Sequence, residues 1–185
     1  MAGQPLGLPG GHQVQNLATA LEGLRRLAGL GFPVLPARAA QGFAEARIPG
    51  RLWKVPGLGG VWMDGAHNPH GAEALARHAL ACGLRPHLFV GSMGDKDLRG
   101  VAEALMRMRP LSLTFVRGDD PRYASLDALR EAWGAPVAPG LDLAGAVAAL
   151  RTFHAEPVLI TGSLYLLGDL LAALGVDPAA GPQGY

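Results

Sequence analysis

Val61-Trp62-Met63-Asp64-Gly65-Ala66-His67-Asn68-Pro69-His70 contains the boundary on which the fold turns. Three apolar residues end at a carboxylate. A turn of small residues follows, and then Asn-Pro. Proline suits the first turn of a helix, because the N–H it lacks would be unpaired there anyway. The stretch therefore reads as strand, tight turn, helix. From Pro69 to about Ala81 apolar positions return at helical spacing, which extends the reading into a full helix.

The same alternation continues downstream. His87–Val90 reads as a strand, Leu98–Met108 as a helix and Leu113–Val116 as a strand. Ser125–Trp133 is a helix, Pro136–Ala138 a short strand and Leu141–Phe153 a helix. Val158–Thr161 and Leu164–Leu174 close the series as strand and helix. Upstream, Leu52–Val55 is one more short apolar run after the Pro49-Gly50 break. Short strands alternating with helices predict a mostly parallel, Rossmann-like α/β sheet with helices on both faces. The strands are nearly continuous apolar runs, as burial on both faces requires.

Two helices precede this unit. Leu17, Leu21, Leu24, Leu27 and Leu30 recur at three- and four-residue spacing, ending at Gly29 or Gly31. A weaker pattern covers Ala37–Ala46. Neither has strands of its own to pack on, so both read as the end of a preceding domain. The predicted organisation is residues 1–48 as trailing helices, with a flexible lead-in to about Gly11. Residues 49–178 form the α/β domain, and 179–185 are a disordered Gly/Pro-rich tail.

Bulk properties exclude some classes. The 185 residues suffice for one α/β domain plus part of another. The 16 basic and 15 acidic residues balance, with no basic stripe, so nucleic acid is not the implied partner. Lys54 and Lys96 are the only lysines, a bias towards Arg that fits a GC-rich genome. Pro157–Val176, the most apolar stretch, is broken by Thr161, Gly162, Ser163, Gly168 and Asp169, and so does not span a membrane. One cysteine, Cys82, and no signal peptide predict a cytoplasmic protein.

Ligands of open α/β sheets bind beyond the C-terminal ends of the strands. Four predicted loops lie there: Asp64–His70, Gly91–Asp97, Arg117–Tyr123 and Thr161–Tyr165. A carboxylate at a strand end, Asp64, suits the hydroxyls of a ribose. His67 and Asn68, near a helix start, suit an anionic group. The competing reading makes Asp64 and Asn68 helix caps. Ser163 either bonds a ligand carboxylate or caps the last helix. Gly91–Asp97 is either a capped turn or a ligand contact. Arg51 has the fork geometry that suits phosphate oxygens. A metal held by Asp64, His67 and His70 lacks a second His or Cys cluster to complete it. A Ser163–His67–Asp64 triad lacks the strained Gly-x-Ser-x-Gly elbow. No P-loop occurs in the chain.

Five pieces fall in order: Gly11-His12-Gln13-x-x-Asn16, Pro49-Gly50-Arg51, Asp64-Gly65-Ala66-His67-Asn68-Pro69, Asp95-Lys96-Asp97 and Thr161-Gly162-Ser163-Leu164-Tyr165. Together, over nearly the whole chain, they resemble the C-terminal part of folylpolyglutamate synthase, often bifunctional with dihydrofolate synthase, in the Mur ligase superfamily. The resemblance implies an ATP-dependent ligase. Such an enzyme phosphorylates the terminal carboxylate of a folate or dihydropteroate, and L-glutamate then attacks the acyl phosphate. It further implies that Asn16, Arg51 and Asp64 contact ATP and that His67 and Ser163 place the glutamate. Mg2+ ligands and the P-loop belong, in such ligases, to an N-terminal ATPase domain that this sequence lacks. A monomer, inactive as an isolated piece, is the expectation. Two rivals are a dinucleotide-binding domain, whose Gly-x-Gly-x-x-Gly is absent, and a ligase acting on a cell-wall precursor.

Overall fold

The computed structural model describes residues 7–34 and 36–178. Residues 1–6 of the expected lead-in, and the expected tail at 179–185, lie outside the described residues. In chain order the elements are α1 (His12–Gly29), α2 (Pro36–Glu45), β1 (Trp53–Lys54), β2 (Val61–Met63), α3 (Pro69–Ala81), β3 (His87–Val90) and α4 (Leu98–Met106). Then come β4 (Ser112–Val116), α5 (Leu126–Trp133), β5 (Gly140–Leu141), α6 (Leu143–Leu150), β6 (Val158–Thr161) and α7 (Leu164–Leu174).

The six strands form one sheet in the order β1-β2-β6-β3-β4-β5. All neighbours are parallel except β1, which returns antiparallel against β2 with Trp53 opposite Met63. Side chains alternate between two cores, as the two-residue period of a strand demands. Leu88, Val90, Phe115 and Leu159 enter the core under α3, α4 and α5. Met63, Phe89, Val116 and Ile160 enter the other, under α6 and α7. The α/β class and the helices on both faces therefore stand as read from the sequence.

Three predicted elements shift. The strand expected at Pro136–Ala138 forms instead at Gly140–Leu141, where Val116 pairs with Leu141. Ala138 N–H closes a turn onto Ala135 O at 3.1 Å, and Pro136 has no N–H to give a ladder. The helix expected at Leu141–Phe153 is shorter, because Asp142 caps it, its Oδ1 accepting from Gly145 N at 2.7 Å. The helix expected to reach Met108 ends at Met106, since Arg109 takes a φ of 50° ahead of Pro110.

Helix α1 is only lightly covered by the described chain. Leu27 and Leu30 of its apolar stripe are 43% and 76% exposed. The segment before it is tied to α2: Gly7 N donates to Phe43 O at 3.0 Å, and Arg47 Nη1 donates to Gly7 O at 3.2 Å.

Candidate functional site

The four loops at the C-terminal edge of the sheet are stitched to one another by backbone hydrogen bonds. Thr161 Oγ1 and Gly162 N both donate to Ala66 O, at 3.3 and 3.0 Å, which joins the loop after β6 to the loop after β2. Gly91 N donates to Thr161 O at 3.2 Å. Ala124 N donates to Ser92 O at 2.9 Å and Gly94 N to Arg122 O at 2.8 Å, around a Met93–Tyr123 bridge. Gly162 is obligatory here: its φ is +104°, and a side chain would strike the Gly91 carbonyl.

Over these loops lies a cleft of about 540 Å³, lined by His67, Met93, Asp95, Lys96, Arg122, Ser163, Leu164 and Tyr165, with Gly94 and Gly162. Its volume lies in the range of small-ligand sites. The structure thus brings His67 and Ser163 together, as the sequence predicted. His67 Nδ1 lies 2.8 Å from Gly65 O. A carbonyl only accepts, so Nδ1 carries the proton, and in the neutral ring Nε2 is left as an acceptor. Of the two readings of Ser163, the helix cap is the one its hydrogen bond forms. Ser163 is 2% exposed, its Oγ accepts from Tyr165 N at 3.1 Å as the N-cap of α7, and it lines the cleft.

Two cations on the cleft wall each have a carboxylate beside them. Lys96 Nζ is 2.9 Å from Asp95 Oδ2, and that hydrogen bond holds the Asp95 carboxyl below its ordinary value. Arg122 binds Asp120 through Nε and Nη2, the shortest contact being 2.7 Å. The Arg122 side chain, and secondarily its backbone N–H, lowers Asp120 to about 2. Arg122 is raised in turn, first by Asp120 and then by Tyr165. Its Cζ sits 4.8 Å from the centre of the Tyr165 ring, within cation–π range. Behind this wall, the Tyr123 hydroxyl donates to Asp169 Oδ2 at 2.6 Å, anchoring the loop after β4 to α7. Burial, and then that bond, raises the Tyr123 pKa.

Asn16 and Arg51 line a second cavity of about 320 Å³, between α1, the end of α2 and the Pro49–Arg51 turn. Asn16 Nδ2 donates to Gln13 Oε1 at 2.9 Å. Asp64 lines neither cavity. It is 7% exposed, with Oδ2 accepting from Leu52 N and Oδ1 from Ala66 N, both at 2.9 Å. Leu52 has a φ of 46°, a strained value for a branched side chain. Asp64 therefore holds the turn that carries Arg51 and the loop that carries His67. Gly65 lets them approach, since a side chain there would meet Leu164 and the Arg51 guanidinium. Asn68 is the cap of α3, its Oδ1 accepting from Gly71 N at 2.9 Å.

Lys96, Arg122 and Tyr165 are among the cleft residues to which sequence reasoning gave no role of their own. Their loops were legible as ligand-edge loops. Which side chain points into the cleft depends on the bridge between residues 93 and 123, which no local pattern shows. Among the described residues, no group of three or more His, Cys, Asp and Glu is placed to hold a metal ion. No helix among them is long and apolar enough to cross a membrane.

Residues 50–164 match the sequence profile of the Mur ligase, glutamate ligase domain. The chain is 31% identical over 198 residues to a dihydrofolate synthase/folylpolyglutamate synthase of Mycobacterium tuberculosis, covering 94% of this chain and 40% of that protein. It is 28% identical over 169 residues to a folylpolyglutamate synthase of Lacticaseibacillus casei, covering 86% and 37%. Among solved structures, M. tuberculosis folylpolyglutamate synthase complexed with ADP and AMPPCP superposes with a TM-score of 0.78 at 27% identity, over 97% of this chain and 43% of that one. E. coli FolC in complex with DHPP and ADP gives 0.75 at 27%, over 95% and 41%. The chain spans about two fifths of the length of the curated relatives it matches.

Proposed function

We propose, from the premise that this chain belongs to the Mur ligase family through its glutamate ligase domain, that it is the glutamate-holding part of an ATP-dependent ligase joining L-glutamate to a folate or dihydropteroate. The observation that carries this reading is the cleft in which His67, Ser163, Lys96 and Arg122 converge. L-Glutamate has two carboxylates and one amino group. Lys96 and Arg122 match the carboxylates. Arg122 is already oriented by Asp120 and Tyr165, so little side-chain freedom is lost on binding. His67 Nε2 accepts from the amino group, and Ser163 Oγ fixes a further ligand atom.

In this reading the amino nitrogen attacks the acyl carbon of an acyl phosphate. The new C–N bond forms as the carbon–oxygen bond to phosphate breaks, and phosphate leaves with the electron pair. His67 takes up the proton released from nitrogen. No covalent bond to the protein is needed; orientation supplies the gain. Asn16 and Arg51 form the nucleotide side. Arg51 offsets charge developing on the transferring phosphoryl group, and Asp64 orders the turn behind the ribose. Magnesium neutralises phosphate charge in such reactions, and we place its ligands outside the described residues. The 1–48 helices then belong to the ATP-binding domain and 49–178 to the glutamate domain, within a monomeric cytoplasmic enzyme.

A chimaera tests the reading. This chain replaces the corresponding part of the M. tuberculosis enzyme, and ATP-dependent incorporation of labelled glutamate is measured. Incorporation into a folate or dihydropteroate acceptor is expected. Incorporation only into a muramyl-type acceptor, or none from a folded chimaera, would overturn it.

A further inference from the structure

The loop after β4 carries Arg122 into the cleft, and α7 grips that loop from one side. Tyr165 and Asp169 stand one turn apart on one face of the helix. They take hold of two consecutive loop residues. The Tyr165 ring lies 4.8 Å from Arg122 Cζ. Asp169 Oδ2 accepts from the Tyr123 hydroxyl at 2.6 Å, the length of a charge-assisted O–H···O bond. Neither Tyr123 nor Asp169 is among the residues that line the cleft. Tyr123 is buried, and Asp169 is the one charged residue of α7. The start of the loop closes over the pair: a side chain on Gly118 would meet Tyr123 Cε2 and Asp169 Oδ2. On its other side Tyr123 bridges through its backbone to Met93, in the loop that carries Lys96.

We infer that Asp169 is a positioning residue for the cleft: through Tyr123 it fixes where Arg122 presents its guanidinium to a ligand carboxylate. The identity of that ligand rests on the glutamate reading above. Asp120 orients the guanidinium locally, but it lies two residues from Arg122 and travels with the same loop. It does not set the distance of the loop from Ser163 across the cleft. The Tyr123–Asp169 bond does, because Ser163 and Asp169 belong to one helix. They are six residues apart in the chain, about 9 Å along the axis at 1.5 Å per residue. The helix is thus a ruler between the hydroxyl on one wall and the cation on the other. Apolar packing is non-directional and would let the loop slide; a hydrogen bond fixes distance and angle. Core filling alone would be met by an apolar side chain at position 169, without the desolvation that a half-buried carboxylate costs.

The test titrates the full 185-residue chain with L-glutamate by calorimetry and follows the Arg122 Nε–H resonance by NMR. Asp169→Ala and Tyr123→Phe are each expected to weaken binding roughly tenfold, as the loss of one well-placed hydrogen bond to a charged group does. Both are also expected to shift the Arg122 resonance. Asp169→Asn keeps an acceptor for the phenol and is expected to hold wild-type affinity. In an Arg122→Ala background, Asp169→Ala is expected to cost no further affinity, because it acts through Arg122. Additive losses in that double variant would overturn the inference and leave Asp169 a structural residue only. So would wild-type affinity in Asp169→Ala, or an Asp169→Asn variant as weak as Asp169→Ala. The two readings fail separately. A wild-type chain that does not bind L-glutamate loses the glutamate reading; an Arg122 resonance unmoved by Asp169→Ala loses only the positioning role.

Discussion

The cleft over the sheet and the cavity beside α1 are built in different ways. The first is framed by four loops that follow parallel strands and are bonded to one another through Ala66, Gly91, Ser92 and Gly94. Its cationic side chains are braced before any ligand arrives. The second is framed by α1, the end of α2 and one turn, and α1 still exposes Leu27 and Leu30. A prebuilt cleft loses little freedom on binding; a cavity whose walls are held by few contacts gains order from whatever else packs on it. On the function proposed above, the cleft is therefore expected to bind glutamate in this chain alone, and the cavity beside α1 to bind nucleotide weakly.

The largest effect that sharpens this contrast is on glutamate affinity. Arg122→Ala is expected to weaken it by roughly 10- to 100-fold, since hydrogen bonds to charged groups contribute about 1.5–3 kcal/mol. Asn16→Ala should leave it unchanged. Calorimetry with L-glutamate reads both, and equal losses would erase the distinction between the two regions.

Asp64→Asn probes the joint between them. An amide offers one acceptor where the carboxylate offered two, so Leu52 N or Ala66 N is left unpaired in a buried place. The expected loss is about 1–3 kcal/mol in urea unfolding, with both cavities affected. A stability loss with unchanged glutamate and nucleotide binding would separate the folding role of Asp64 from any role at the site.

Ser163→Ala removes a cap and a cleft hydroxyl together. About 0.5–2 kcal/mol of stability should be lost, and glutamate binding should weaken beyond what Ser163→Thr causes. Full binding in the alanine variant would leave Ser163 with the cap alone.

The smallest effect concerns pH. Asp120 is lowered from an ordinary 3.8 to about 2, chiefly by its hydrogen bond from Arg122. A depressed carboxyl contributes fully above the ordinary value, and that contribution fades as pH falls through the folded one. The Arg122 Nε–H resonance should thus stay constant from about pH 8 down to the ordinary carboxylate range and move only towards about pH 2. A midpoint at the ordinary value would mean that Arg122 is not braced.

Much of this was readable in one dimension. The passage from Met63 through Asp64 to Pro69 carries its own boundary, because apolar strand, small turn and Asn-Pro helix start are local chemistry. Alternation of short apolar runs with helical spacing gave the α/β class, and the ligand edge followed from it. The misplaced β5 shows the limit: Pro136–Ala138 looks as apolar as a strand, but the ladder starts only where backbone N–H groups and space beside Leu126 and Arg130 meet at Gly140.

What the sequence by itself determined was which loops share the ligand edge and which residues in them, His67 and Ser163 among them, have the chemistry to act there. Local propensity and spacing are enough for that. Only the tertiary structure decided that Asp64 is spent on two backbone amides and that Asn16 and Arg51 share a cavity apart from His67. It also decided that Lys96 and Arg122 face one cleft from loops some twenty-five residues apart in the chain. Those facts depend on contacts between distant segments, and the direction of a side chain is set by the packing around it.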